Sequence, residues 1–266
     1  MYKQILMPIV PAQNLANLQQ SVNFLRKLGA NHLHLVHVMS EGFANRRQLS
    51  RWLEDTAARI KEQTACLVTW DLLSGHPPTE ICEAAESRDM DMIYQWASQR
   101  GILARTLLGS TSSDVLRMTE KPAFIHKTKP SQEEDYQVNR ILFATDFGEA
   151  ASRAMDYLKE LAHLNSGLVL LHVRYRGGDP TTDSYRQQEA EEKMNELREE
   201  LQPYFPALVS RIRLGATGKQ IMEVSNQEQV ELVVMGRYNQ PTFIKGMGST
   251  AESVVGRSQA SVLVIP

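Results

Sequence analysis

The chain has 266 residues, a formal net charge of −2 and 42% apolar residues, enough for one large domain or two of ordinary size. The near-even charge balance excludes a strongly basic nucleic-acid binder as the default, and two cysteines, Cys66 and Cys82, are too few for a disulfide framework or a four-thiolate zinc site. No run approaches the about 18 uninterrupted apolar residues of a membrane span, and the polar start does not suit a signal peptide, so a soluble cytoplasmic protein is expected.

In chain order, strand-length apolar runs alternate with stretches of helical period. Gln4 to Val10 reads as a strand, and Asn14 to Leu28 as a helix with Leu15, Leu18, Val22, Leu25 and Leu28 on one face. His32 to Met39 is a second strand, and Asn45 to Thr64 a charged helix with Leu49, Leu53, Ala57 and Ile60 on its stripe. Leu67 to Leu73 is a strand, and Pro77 and Pro78 open a helix because proline fits the first turn. Met90 to Gln95, Thr111 to Met118 and Ala123 to His126 follow as strand, helix and strand. Lys127 to Gln137, polar and proline-containing, reads as a linker.

The order then restarts. Arg140 to Ala144, Leu168 to Val173, Leu208 to Leu214, Val230 to Met235 and Val262 to Ile265 are strands. Glu149 to Leu164, Asp183 to Leu201, Lys219 to Asn226 and Thr250 to Val255 are the helices between them. Ile5 aligns with Ile141, Gly75 with Gly215 and Gly109 with Gly248, at offsets of 136 to 140 residues, so the chain is a duplicated domain. Strand–helix alternation predicts an α/β fold: two tandem doubly wound parallel five-stranded sheets of order 3-2-1-4-5, with helices on both faces. The boundaries predicted are residues 1–128 and 138–266. Ligands of such sheets bind beyond the carboxyl ends of the strands, at the switch point between the first and fourth.

Met235 to Thr250 (MGRYNQPTFIKGMGST) is the most informative segment. It follows a strand and opens a helix at Gly248-Ser249-Thr250, where free backbone N–H groups, a hydroxyl and the positive end of the dipole suit phosphate. Gly236 would let a ligand approach the backbone closely. Each feature also has a plainer reading: Asp146 suits a helix cap, and Gly248-Ser249 a turn and cap. His32 and His34 share one face of their strand and His37 the other, which favours structural roles over a metal site. Neither cysteine lies in a CxxC, the run Gly215 to Gln220 lacks P-loop spacing, and Gln187 to Glu200 reads as a solvated helix with i,i+4 pairs.

The strand ILFATDF ending near Asp146, LLHV at Leu170 to Val173, VELVVMG, and GMGST before the last helix together resemble the universal stress protein family, over the whole chain as two copies with the second the clearer. Nucleotide-binding members carry an Asp after the first strand, a Val after the second whose backbone meets adenine, and a Gly-x2-Gly-x9-Gly-Ser/Thr loop around the phosphates. The resemblance therefore implies a stress-associated regulatory protein holding ATP or AMP in its second half, with Ala144, Asp146, Val173, Met235, Gly236, Asn239, Gly248, Ser249 and Thr250 as the contacts. Magnesium would accompany ATP. Asn239 replaces the family's second Gly, and the following gap is 8 residues (Gln240 to Met247) rather than 9.

The first half departs further. Val10 stands where Asp146 lies, Trp96 replaces Gly236 and Gln99 replaces the second Gly, while Gly109-Ser110 survives. This half is expected to have lost the nucleotide site. The alternative is a nucleotide-free scaffold that binds a protein partner; at most weak ATP hydrolysis is expected, since no general base stands near the loop. No nucleic-acid or membrane partner is expected. The last strands, Ala123 to His126 and Val262 to Ile265, are expected to be covered, within one chain as a pseudo-dimer or in a homodimer.

Overall fold

A computed structural model describes residues 2–11, 15–39, 45–97, 109–127, 136–176, 178–237 and 248–266. The chain divides into two compact units, the first built from Met1–Ala97 and Leu108–Gln137, the second from Val138–Pro266.

In the first unit, β1 (Gln4–Pro8), β2 (His32–Met39), β3 (Leu67–Ser74), β4 (Met92–Trp96) and β5 (Ala123–His126) alternate with α1 (Leu15–Lys27), α2 (Arg46–Gln63), α3 (Pro77–Ser87) and α4 (Ser110–Met118). The strands are parallel in the order β3-β2-β1-β4-β5. The second unit repeats this with β6 (Arg140–Thr145), β7 (Gly167–Arg174), β8 (Leu208–Leu214), β9 (Leu232–Gly236) and β10 (Ser261–Ile265). Its helices are α5 (Glu149–Lys159), α6 (Pro180–Leu201), α7 (Thr217–Gln227) and α8 (Ser249–Arg257), and its strand order is β8-β7-β6-β9-β10, again parallel. The predicted fold class and strand order are those observed.

The elements form for visible reasons. α2 buries Leu53, Thr56, Ala57 and Ile60 along one stripe, and α3 opens on its two prolines. Beneath α3 and α4, Leu6, Val36, Ile81, Ala85, Ile93 and Val115 form one buried cluster, each branched aliphatic side chain in it contributing about 1.5–3 kcal/mol of burial. The paired glycines Gly75 and Gly215 have φ of +147° and +130°, so the same left-handed turn follows β3 and β8. Asp179 caps α6 by accepting the Thr182 N–H at 2.9 Å, ahead of Pro180 in the first turn. The long charged face of α6 carries i,i+4 pairs, Gln188 with Glu192 at 2.9 Å and Lys193 with Glu189 at 2.7 Å. No helix among the described residues is long and apolar enough to cross a membrane.

Two expectations change. The helix read over Glu149 to Leu164 ends at Lys159 and continues as a short 3-10 turn, Ala162–Leu164, closed by Asn165 at φ +55°. Asn accepts that left-handed backbone better than most residues. The stretch read as a linker contains Tyr136, which is buried with its ring 4.8 Å from Phe24 and 4.6 Å from His126. An aromatic side chain with that much apolar area packs where it finds a core, whatever the polarity of its sequence neighbours. Residues 128–135 of that stretch lie outside the described residues.

Candidate functional site

The site residues expected in the second unit collect at the carboxyl edge of its sheet. The register pairs Ala144 with Met235 and Thr145 with His172, which brings the ends of β6, β7 and β9 level. Val173 lies at the end of β7, half-buried, opposite Arg213 of β8. α8 starts from the same edge, because it leads from the carboxyl end of β9 back to the start of β10. Its N-cap is Gly248, which has no side chain of its own to cap the helix. Ser249 and Thr250 thus occupy a first turn that its own N-cap residue leaves uncapped, the condition in which a helix N-terminus can receive an anion. Asn239 lies outside the described residues.

Asp146 follows β6 and is exposed. It does not cap α5, whose N-cap is Gly148. Its Oδ1 accepts the Gly148 N–H at 2.9 Å, closing a local turn through one of its two carboxylate oxygens. The residue between them, Phe147, has φ +63°, an uncommon conformation for a bulky side chain, and its amide donates to Thr145 Oγ1 at 3.0 Å. The Phe147 ring lies 4.3 Å from that of His172, and Lys193 of α6 stands 5.6 Å above it.

Gly236 has a different role from the one expected. A Cβ there would meet the backbone carbon of Ala150 at 2.4 Å and its oxygen at 2.5 Å, so the space beside the glycine is filled by the start of α5. The absent side chain serves helix-on-sheet packing rather than access for a ligand. Met235 is likewise buried, while Ala144 is half-buried. The corresponding position of the first unit is Trp96, which pairs with His126 on β5 as Gly236 pairs with Ile265 on β10.

The histidines serve the frame. His37 Nδ1–H donates to the Ile9 carbonyl at 2.8 Å, and His172 Nδ1–H donates to the Thr145 carbonyl at 2.9 Å, so each unit clamps its second strand to the end of its first. On the other face, His32 Nε2 and His34 Nδ1 both lie 2.7 Å from Thr69 Oγ1, and His34 Nε2 donates to Asp71 at 3.2 Å. Arg88 also pairs with Asp71. Burial, then the Arg88 charge, lowers the pKa of His32 and His34; burial lowers that of His172. Cys66, buried, donates its thiol to the Ala30 carbonyl.

Sequence reasoning missed Arg174, almost fully covered, which holds Asp183 at 2.6 Å and Gln187 at 2.7 Å and so fixes the first turns of α6 over the end of β7. It also missed Phe147 and Lys193. Only the Asp-Phe-Gly run after a strand hinted at the tight turn, and nothing local announced the reach of Lys193 from another element.

Comparison with known proteins agrees with this architecture. A crystal structure of a universal stress protein from Archaeoglobus fulgidus superposes with a TM-score of 0.77 at 21% identity, covering 99% of this chain and 97% of that one. A Pseudomonas aeruginosa protein of unknown function, PA1789, superposes with a TM-score of 0.73 at 19% identity over 98% and 91%. The universal stress protein MJ0577 of Methanocaldococcus jannaschii is 25% identical over 152 residues, 47% of this chain and 93% of that protein. The universal stress protein family matches twice, over residues 1–127 and 137–266, and the chain belongs to that family as a tandem two-domain member.

Proposed function

We propose that the second unit binds an adenine nucleotide, ATP or AMP, and that occupancy regulates the protein's interaction with a partner in a stress response. The observation that carries this reading is that Asp146, Val173 and the glycine-capped start of α8 all lie at the carboxyl edge of one sheet. These are the family's positions for ribose and adenine, for the adenine-facing backbone and for phosphate. Asp146 Oδ2 and the first amides of α8 present an acceptor and donors, the pairing a nucleoside phosphate needs. Phosphate recognition would rest on backbone N–H groups rather than on a field of basic side chains. Binding would shift whichever conformation holds these elements together.

Calorimetric titration of the whole chain with ATP, ADP and AMP tests the reading. Saturable binding is expected, weakened about tenfold by Asp146→Ala, a loss of about 1.4 kcal/mol, and abolished by Gly248→Val, whose branched side chain would crowd the first amides. The scaffold reading is favoured by the filled space beside Gly236 and by the engagement of Asp146 with Gly148. It predicts no heat at millimolar nucleotide.

A further inference from the structure

Both units have a groove between their first two helices, above the carboxyl end of the central strand, and the two grooves are chemically unlike. In the second unit it encloses about 230 Å³ and includes Phe147, Lys193 and Glu196. Its cation is already engaged: Lys193 lies over the Phe147 ring and holds Glu189 at 2.7 Å. In the first unit the groove between α1 and α2 encloses about 500 Å³, within the range of small-molecule sites. Ile9 and Leu18, both buried, give it an apolar floor, and Trp52 forms a wall. The indole is set in place by an edge-on contact with His37 at 5.6 Å, and His37 is itself held on the Ile9 carbonyl.

Three charged side chains of α2 line this groove, Arg51, Asp55 and Arg59, and none has a salt bridge among the described residues. They are spaced one helical turn apart, about 6 Å each. Asp55 stands one turn from each arginine, so the three together leave one positive charge in excess, with Arg51 the arginine nearer Trp52 along the helix. Val10, 53% exposed, extends the apolar rim at the position where the second unit carries Asp146.

We propose that this groove of the first unit binds an organic anion with a planar aromatic body and a carboxylate or phosphate head. The body lies on Trp52 over Ile9 and Leu18, and the head meets the Arg51 guanidinium, which can bind either oxyanion in two-pronged fashion. The site is separate from the nucleotide site proposed for the second unit and uses none of its residues.

The test is a titration of the whole chain with 1-naphthoate, 1-naphthyl phosphate and the neutral 1-naphthalenemethanol, followed by the indole N–H resonance of Trp52, assigned with Trp52→Phe. Both anions are expected to shift it saturably, and the alcohol to bind at least about tenfold more weakly, the 1.4 kcal/mol of one charge-assisted contact. Arg51→Gln, at an exposed position of α2, should lower anion affinity to that of the alcohol. Arg59→Gln should change it less than about threefold, by the same conversion. Equal affinity for anion and alcohol, an unchanged response in Arg51→Gln, or a response seen at Trp70 or Trp96 and not at Trp52 would overturn the proposal. So would the lack of any saturable shift at millimolar probe.

Discussion

Trp96 and Gly236 stand at the same place on two copies of one sheet, each closing the strand beside the central one. In the second unit the glycine admits the backbone of Ala150 and Ala151, and α5 settles close against β9. In the first the indole packs edge-on against Tyr94 at 5.2 Å, within a set of rings that includes Phe124, His126, Tyr136 and Phe24. The frame is the same in both: equal strand order, the same left-handed turn after the third strand, and the same histidine clamp. Divergence is concentrated at the carboxyl edge, where side chains can change without disturbing the ladders of hydrogen bonds. A duplicated fold can thus keep one set of structural constraints twice while its two edges acquire different chemistry.

The sharpest way to break this comparison is to give Gly236 a side chain. Gly236→Ala places a Cβ within 2.4 Å of backbone that has no rotamer to adjust, so α5 must move. A loss of about 3 kcal/mol is expected, the upper end of what overpacking costs. It should be read by urea unfolding in the transition that reports the second unit. A change below about 1 kcal/mol would mean that α5 slides freely and that the glycine is not a packing requirement.

The ring cluster of the first unit makes the next largest prediction. His126 is fully buried, and among the described residues neither ring nitrogen has a hydrogen-bond partner. Burial lowers its pKa from 6.5 to about 4, and holds the neighbouring Lys127 down to about 8. The unfolded chain therefore binds the His126 proton more tightly than the folded one. Stability from this group is complete above pH 6.5 and falls as the pH drops towards 4, by about 3 kcal/mol across the window. His126→Phe keeps the ring contacts with Tyr94 and Phe124 and removes the titration. The variant should match or exceed the parent at pH 7 and lose less stability between pH 6.5 and 4. An identical pH profile for the two proteins would show that His126 is hydrated rather than dry.

Much of this was legible beforehand, for identifiable reasons. Strand order followed from alternation and handedness, and the duplication from glycines at Gly75 and Gly215 whose positive φ tolerates little else. Single-residue signals were weaker where they had two physical explanations. Gly236 fits both a ligand's approach and a helix's approach, and only the position of Ala150 separates them. Asp146 fits both a cap and a ribose contact, and its actual hydrogen bond to Gly148 is neither, leaving one oxygen unspent. The grooves were not legible, because Trp52, Lys193 and Arg51 belong to helices far in sequence from the strand ends they overhang. Tyr136 was hidden by its company, a buried ring within a polar stretch.

The smallest expected effect tests what the two units have in common. His37 and His172 each donate one hydrogen bond to a carbonyl at the end of the central strand, at 2.8 and 2.9 Å. Each ring also leans on an aromatic neighbour, Trp52 in the first unit and Phe147 in the second. Replacing either by leucine keeps most of the apolar contact but strands a carbonyl oxygen, a loss of about 1 kcal/mol. If the clamp is one device used twice, His37→Leu and His172→Leu should cost about the same, measured by urea unfolding. Unequal losses would place the difference in the aromatic contacts. His172→Leu would then also loosen Phe147 from its left-handed turn, and the amide of Gly148 would lose protection from hydrogen exchange as its bond to Asp146 weakened.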